Sequence, residues 1–255
     1  GTVTIKPPMQ FSYFKERDSM ESTTTTEWRE EDLTPYTTER STFHSVINTD
    51  INHNSSLFYC ASKRLFDVVL ATFGIIVLIP VCFVIAVAIT LGDGGNIFYF
   101  REMIGLHGRR FIMLKFKTMI PNADAYLEQH PELNLEYQEN MKLHHDPRIT
   151  RLGRFLRKSY LDELPQLFNV LAGQMSLVGP RAIHERELIL YGEYAEKRHS
   201  VKPGMTGLWQ ISPNRYQCYD DRIPLDIQYV DNRSFFLDLC ILVKTLKVFI
   251  HPTGV

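Results

Sequence analysis

The longest apolar segment of the chain runs from Val68 to Leu91 and contains 24 residues without a charged side chain. A stretch of about 20 apolar residues is long enough to cross a bilayer. A helix in a soluble core is rarely apolar on every side over such a length. The pattern therefore predicts a helix embedded in a membrane.

Pro80 lies near the middle of this apolar segment. Proline removes one helical hydrogen bond and clashes with the preceding turn, so we expect a kink there. Basic residues lie on both sides of the segment: Lys63, Arg64, Arg101, Arg109 and Arg110. Because positive residues tend to stay on the cytoplasmic side, both ends are predicted to be cytoplasmic. A kinked re-entrant hairpin in one leaflet satisfies both observations, and a plain spanning helix is the alternative that the sequence leaves open.

After the glycine-rich turn "GDGGN", apolar and polar residues alternate in "RRFIMLKFKTM", which predicts a strand. This strand is predicted to form a hairpin with "IFYFREMI" through the turn "GLHG". Helices are predicted over residues 121–143, over "YLDELPQLFNVLAG" up to Gly173, and over "IHERELILYGEYAEKRH". The last stretch, "FFLDLCILVKTLKVFI", fits either an interfacial helix with snorkelling lysines or a helix of a soluble core.

These patterns predict an α/β protein that is mostly helical with a small β-hairpin. Its predicted architecture is monotopic, with a kinked re-entrant membrane helix and interfacial amphipathic helices. Residues 1–60 are rich in Thr, Ser and Glu, which predicts a disordered or loosely packed tail; a small regulatory or dimerising element is the alternative. The predicted domains are this tail, the membrane hairpin at 61–95 and a third domain at 96–255, which carries the candidate chemistry described below.

Charge is distributed unevenly along the chain, although its formal net charge is only -1. Residues 1–60 contain five Lys/Arg and nine Asp/Glu, so the rest of the chain contains 23 basic and 20 acidic residues. This slight basic excess suits a phosphate substrate or an anionic membrane surface. The four cysteines are far apart and show no metal or disulfide spacing, so we expect a reducing, cytoplasmic environment.

A basic run precedes two adjacent carboxylates. Arginine recurs at every third position, at Arg148, Arg151, Arg154 and Arg157. Such a run on a helix can be a solvated face or a contact for anionic lipid. Arg157 and Lys158, however, come just before Asp162 and Glu163, where they can hold a phosphate beside the acidic pair.

Pro165 is tolerated only in the first turn of a helix, so the helix is predicted to begin near Leu161 or Asp162, with Ser159 in a capping arrangement. Both carboxylates then lie at the positive end of the helix, where they can simply complement its dipole, worth ~0.3–1 kcal/mol each. Adjacent helical residues point about 100° apart, so the two acids also suit different tasks. One can attack phosphorus while the other holds Mg²⁺, and nearby cations are expected to keep Asp162 ionised at neutral pH.

A series of motifs resembles the bacterial sugar transferases, which are monotopic polyprenyl-phosphate glycosyl-1-phosphate transferases. The motifs are "KRLFD", "GDGGNIFYFREMIG", "LKFKTM", "DPRITRLGRFLRKSYLDELPQLFNVLAGQMSLVGPR", "VKPGMTGLWQI" and "LDIQYV". The resemblance covers residues 61 to about 250. The chain departs from the family pattern at two places. After "GPR" the family often has a second proline, whereas this chain has Ala182. In "SPNR", the family usually has glycine before the arginine.

The resemblance implies transfer of a sugar-1-phosphate from a UDP-sugar to undecaprenyl phosphate, which begins an exopolysaccharide or glycan. It implies a covalent aspartyl-phosphosugar intermediate and release of UMP. Asp162 corresponds to the nucleophile and Glu163 to the ligand of Mg²⁺ (or Mn²⁺). The further site residues that it implies are Lys115, Arg157 and Arg181 as phosphate contacts, Asp226 in a supporting polar role, and Arg215 in nucleotide binding.

The implied location is the bacterial inner membrane, with the catalytic domain on its cytoplasmic face. Membrane lipid is an expected partner, nucleic acid is not, and a homodimer stays open. Trp209 suits either stacking on a uracil or burial in the core. The alternative function is a catalytically inactive, membrane-anchored scaffold of a polysaccharide assembly complex.

Overall fold

The first element of the fold is one long apolar helix. The computed structural model describes residues 57–92, 95–140, 143, 145–212 and 222–250. Helix α1 (Leu57–Gly92) continues on both sides of Pro80. The predicted tail lies outside the described residues except for 57–60, which belong to α1. The kink and the re-entrant path stay predictions.

Much of α1 exposes large apolar side chains. Those of Val69, Phe73, Ile76, Phe83 and Val84 are each more than half exposed. By length and composition, the segment Phe58–Gly92 qualifies as a candidate to cross a membrane. Burial of this apolar surface in a lipid phase would be favourable, since apolar area removed from water stabilises the buried state.

The other side of α1 packs on the rest of the protein. Ile85 and Ile89 form a small core with Phe116 and Leu156. Nearer its beginning, the Asp67 carboxylate accepts a hydrogen bond of 3.0 Å from the backbone N–H of Leu177. The helix is therefore attached to the domain along its length.

The predicted hairpin is confirmed. Strand β1 (Phe98–Ile104) pairs antiparallel with β2 (Arg110–Phe116) through a short 3₁₀ helix, Leu106–Gly108. Tyr99 lies opposite Lys115, and Arg101 lies opposite Met113. Successive side chains of a strand point to opposite faces, so these four residues share one face of the hairpin.

The single helix predicted over residues 121–143 is wrong. The structure has α2 (Ala123–Glu128) and α3 (Pro131–Asn140) instead. Proline has no N–H to continue a helix and favours a first helical turn, so Pro131 ends one helix and begins the next. The basic run then ends in α4 (Arg151–Lys158), whose N-cap Thr150 accepts a hydrogen bond from the Gly153 N–H.

Short elements follow α4: a 3₁₀ turn (Leu161–Glu163), α5 (Gln166–Leu171), strand β3 (Ser176–Val178) and strand β4 (Gly204–Thr206). β3 and β4 form a parallel pair that the sequence patterns did not predict. The helix predicted over residues 183–199 is four pieces: 3₁₀ Glu185–Glu187, α6 (Leu188–Tyr191), 3₁₀ Gly192–Tyr194 and α7 (Ala195–Arg198).

Two helices end the described chain, α8 (Arg222–Asn232) and α9 (Phe235–Ile250). Asp238 of α9 is 2% exposed and accepts hydrogen bonds from Lys63 Nζ at 2.7 Å and Tyr229 Oη at 2.7 Å. Lys63 belongs to α1, so a buried charge pair joins the apolar helix to the last helix. α9 buries Ile241 but exposes Phe236, Leu239, Val243 and Leu246.

Candidate active site

The acidic pair lies on a 3₁₀ turn rather than in an α-helix. Tyr160, with φ 57°, reverses the chain before the turn, and Pro165 then acts as N-cap of α5. The predicted helix start at Leu161 or Asp162 is therefore wrong. The predicted capping role of Ser159 is also wrong, because its hydroxyl donates back to the carbonyls of Phe155 and Leu156.

Both carboxylates line a cavity of about 1020 Å³. Five of the described basic residues line it as well: Arg101, Lys115, Arg157, Arg181 and Arg222. The described acidic lining residues are Asp162, Glu163 and Glu187, so this part of the wall has a formal charge of +2. The cavity is also lined by apolar side chains of α1 and α9: Phe66, Leu70, Leu239, Leu242, Val243 and Leu246. It therefore suits a ligand that carries both anionic and apolar groups.

Glu163 is bound by two cations at the same oxygen. Its Oε1 accepts hydrogen bonds from Lys115 Nζ at 2.7 Å and from Arg181 Nη2 at 3.2 Å. Burial acts to raise the pKa of Glu163, but the charges and hydrogen bonds of Lys115 and Arg181 outweigh it and lower this pKa to about 2. Two of the three predicted phosphate contacts therefore lie against Glu163.

Asp162 has a different environment from its neighbour. It is 7% exposed, and within the described part of the chain no hydrogen bond or ion pair reaches its carboxylate. Burial and the charge of Glu163 raise its pKa to about 6 against the opposing charge of Lys115. The cations thus do not lower this pKa below its ordinary value, and Lys115 and Arg181 pair with Glu163 instead. At a pKa of about 6, most of the carboxylate is ionised at neutral pH. A buried ionised oxygen on a cavity wall is suited to act as a nucleophile.

Arg157 is held by the loop after β2. Its Nε donates a hydrogen bond of 2.9 Å to Oγ1 of the buried Thr118. Gly153 permits this contact: a Cβ there would lie 2.0 Å from the carbonyl oxygen of Thr118. The rest of the basic run is divided, because Arg148 forms a buried ion pair with Asp146 while Arg151 and Arg154 are exposed.

Arg181 is held in place through its backbone carbonyl group. Its carbonyl oxygen accepts hydrogen bonds from the guanidinium groups of Arg198 and Arg222, the latter at 3.0 Å. Asp226 lies behind these two arginines, 3.5 Å from Arg222 Nε and 3.9 Å from Arg198 Nε. It also accepts a hydrogen bond of 2.6 Å from Tyr191 Oη and is 1% exposed. Asp226 does not line the cavity, so its geometry suits the predicted supporting role rather than substrate contact.

A divalent cation fits the acidic pair only in part. Among the described residues, no three His, Cys, Asp or Glu side chains come together as a metal site. Mg²⁺, however, is commonly bound by one or two carboxylates together with substrate phosphates and water. The protein's share of that ligand set would be the carboxylate of Glu163, whose Oε1 already binds Lys115 and Arg181, with the Asp162 carboxylate adjacent in the chain.

The two remaining sequence candidates have different outcomes. Arg215 lies outside the described residues. Trp209 is half-buried and lines the cavity, so it is available to a ligand rather than enclosed in the core.

The family model described as bacterial sugar transferase matches residues 58–252, most of the chain and every described site residue. This chain belongs to that family. A UDP-galactose-lipid carrier transferase of Erwinia amylovora is 42% identical over 212 residues, 82% of this chain and 44% of the relative. An undecaprenyl-phosphate galactose phosphotransferase of Salmonella typhimurium is 41% identical over 219 residues, 83% of this chain and 45% of the relative.

A relative closer in length to this chain is the exopolysaccharide production protein ExoY of Rhizobium meliloti. It is 43% identical over 189 residues, which are 72% of this chain and 84% of the relative. The chain thus spans less than half the length of the first two relatives and most of the third.

Sequence reasoning missed several residues of this site. Arg101, considered only as a membrane flank, lines the cavity; Thr118 holds Arg157; and Arg222 holds Arg181. The signal for Arg101 was present, because strand alternation places it on the same face as Tyr99. No local sequence pattern indicates the roles of Thr118 and Arg222, because each holds an arginine that is far away in the chain.

Proposed function

We propose that this protein transfers a hexose-1-phosphate from a UDP-sugar to undecaprenyl phosphate and so begins an exopolysaccharide or glycan. The names of the relatives support this reaction class, because they describe undecaprenyl-phosphate and UDP-sugar transferases. The single observation that carries the proposal is the buried, unpaired carboxylate of Asp162 on the wall of a cavity with net positive charge.

The proposed reaction has two displacements at one phosphorus. A carboxylate oxygen of Asp162 attacks the sugar-bearing phosphorus, the bond to the bridging oxygen breaks, and UMP leaves. A phosphate oxygen of undecaprenyl phosphate then attacks the same phosphorus, the aspartyl–phosphorus bond breaks, and the carboxylate is regenerated. No proton has to move in either step. The covalent route divides a repulsive encounter between two anionic substrates into two steps.

The basic residues have defined tasks in this scheme. Arg157 and Arg181 approach from different elements, and Lys115 lies on β2, so together they surround the reacting phosphate with positive charge. Such preorganised cations stabilise the charge that develops on phosphoryl oxygens. We propose that Glu163 binds Mg²⁺ (or Mn²⁺) together with the donor diphosphate. That ion, when bound, neutralises the diphosphate and lowers its repulsion by Asp162.

We place the reaction at the cytoplasmic face of the bacterial inner membrane. The support is the exposed apolar surface of α1 and the apolar part of the cavity wall, contributed by α1 and α9. A cavity with this composition lets a lipid phosphate reach Asp162 while its chain remains among apolar groups.

The test is UMP release from a panel of UDP-sugars with undecaprenyl phosphate and Mg²⁺, using the full chain in detergent or nanodiscs. Asp162→Asn should lower the rate by roughly 10³-fold or more, whereas Asp231→Asn, a surface carboxylate, should not. With donor alone, the wild type should gain the mass of a hexose phosphate on Asp162. Equal UMP release by wild type and Asp162→Asn would reject the nucleophile, and absence of release from every UDP-sugar would favour the scaffold.

A further inference from the structure

One face of the β1–β2 hairpin forms a wall of the cavity. Tyr99, Arg101 and Met103 of β1 and Met113 and Lys115 of β2 all line it. Because Tyr99 pairs with Lys115 and Arg101 pairs with Met113, Arg101 lies diagonal to Lys115 on this face. Diagonal neighbours in an antiparallel pair are about 7–8 Å apart, which long side chains can bridge. Arg101 is therefore next to Lys115, one of the two cations that bind Glu163.

The cations of the cavity differ in their protein partners. Lys115 and Arg181 are bound by Glu163, Arg157 donates to Thr118, and Arg222 pairs with Glu187. In the part of the chain that the structure describes, the guanidinium group of Arg101 has no hydrogen bond and no ion pair, whereas its backbone belongs to the β1–β2 ladder. It is also only partly exposed, so its charge is not simply directed into bulk solvent.

A half-buried arginine without a carboxylate on a cavity wall indicates an anion supplied by the ligand. The guanidinium group is planar and always charged, and its fork of donors matches two oxygens of a phosphate. Among the described residues, the wall carries five basic and three acidic groups, and Arg101 is one of those five. Arg101 thus adds a positive charge, without a carboxylate partner, to the surface that faces the ligand.

We propose that Arg101 is a further substrate-binding residue that holds a phosphate oxygen. This inference rests on the proposed function, in which both substrates carry phosphate: the donor as a nucleoside diphosphate sugar and the acceptor as a lipid monophosphate. A phosphate group on either substrate would account for an arginine at this position. Kinetic measurements on each substrate separately distinguish the donor phosphate from the lipid phosphate.

The experiment compares the wild type with Arg101→Met, which keeps an unbranched apolar stem and removes the charge, and with Arg101→Lys. Arg154→Met is the matched control, because Arg154 is an exposed arginine of α4 that does not line the cavity. KM is measured separately for the UDP-sugar and for undecaprenyl phosphate, and UDP binding is measured by calorimetry. Thermal unfolding is recorded for every variant.

Arg101→Met should raise one KM by roughly 10- to 100-fold, the usual effect of losing a hydrogen bond to a charged group. Arg101→Lys should fall between the wild type and Arg101→Met, and Arg154→Met should match the wild type. A higher KM for the UDP-sugar with weaker UDP binding assigns the contact to the donor. A higher KM for undecaprenyl phosphate with unchanged UDP binding assigns it to the lipid phosphate.

The inference is overturned if neither KM changes in Arg101→Met, or if kcat and thermal stability fall together while both KM values stay constant. This failure differs from failure of the proposed function. If the wild type is active and Arg101→Met has the same kinetics, only the role of Arg101 is wrong. If the wild type releases no UMP from any UDP-sugar, the proposed reaction itself is wrong.

Discussion

Lys115 of β2 and Glu163 of the 3₁₀ turn form an ion pair whose Nζ and Oε1 atoms are 2.7 Å apart. Both side chains are largely buried, 18% and 17% exposed. The pair joins the hairpin to the turn that carries the acidic pair, and it engages the lysine before any substrate arrives. A donor phosphate must therefore share Lys115 with Glu163 or displace it, so substrate binding and the charge of Glu163 are coupled.

Lys115→Met should weaken both stability and donor binding. Glu163 would keep only Arg181 as a cationic partner, and we expect the free energy of unfolding to fall by about 1–3 kcal/mol. The KM for the UDP-sugar should rise as well. Chemical denaturation and UMP-release kinetics measure the two effects. Lys158→Met removes an exposed lysine of α4 and should change neither quantity; equal effects of the two substitutions would refute the coupling.

Asp162→Asn should stabilise the protein at neutral pH while it abolishes the proposed activity. The pKa of Asp162 is raised to about 6 from the ordinary 3.8, so the folded state binds more protons than the unfolded state between these values. The free energy of unfolding of the wild type therefore falls as pH rises through this interval, by up to ~3 kcal/mol. Asparagine does not titrate, so the advantage of the variant should appear between about pH 4 and pH 7. Denaturation curves across that range test this, and a pH-independent difference would contradict it.

Asp226→Asn should be strongly destabilising. Its carboxylate is the buried negative charge between Arg198 and Arg222, and removing it leaves two buried cations with less compensation. Breaking a buried pair in this way costs ~3–5 kcal/mol. Asp231→Asn on the same helix breaks a half-exposed pair with Lys197 and should cost at most ~1 kcal/mol.

Kinetic measurements can distinguish a role of Asp226 in positioning Arg181 from a role in stability. Arg198 and Arg222 hold the carbonyl of Arg181, so displaced arginines should also move Arg181 at the cavity. Below its unfolding temperature, Asp226→Asn should therefore raise the KM for the donor. An unchanged KM in the folded fraction would limit Asp226 to a role in stability.

Gly153→Ala should displace α4 and, with it, Arg157 at the site. The added Cβ would lie 2.0 Å from the carbonyl oxygen of Thr118, and backbone cannot rotate away as a side chain can. We expect a loss of about 3 kcal/mol, at the upper end for overpacking, and lower activity because Arg157 moves with α4. Gly74→Ala is the control: its Cβ would meet a side-chain atom of Leu167 at 3.5 Å, an ordinary contact. Similar unfolding curves for both variants would show that α4 can shift.

The hairpin and the long apolar helix could be predicted because their signals are local. The alternation over residues 109–119 indicates which face of β2 is buried. The run of 24 uncharged residues indicates the apolar helix without reference to any other part of the chain. The split at Pro131 also has a local signal, since proline lacks the N–H that would continue a helix from His130.

The geometry of the site could be predicted only in part. Motifs brought together the acidic pair and three of its cations, yet spacing along the chain does not show that Lys115 and Arg181 bind one oxygen of Glu163. Such contacts join residues 48 and 18 positions apart and depend on how the elements pack. The β3–β4 pair is non-local too, and its close backbone approach depends on glycine: a Cβ on Gly204 would lie 2.1 Å from the Gly179 nitrogen.

The bond between Lys63 and Asp238 has a consequence for biosynthesis. Its two partners are 175 positions apart, at opposite ends of the described chain. Because translation runs from the N-terminus, α1 is synthesised well before the anionic partner of Lys63. Since α9 also lines the cavity, a nascent chain that stops before this helix has neither the bond nor that part of the wall. Translation must therefore reach the last helix before the cavity of any copy is complete.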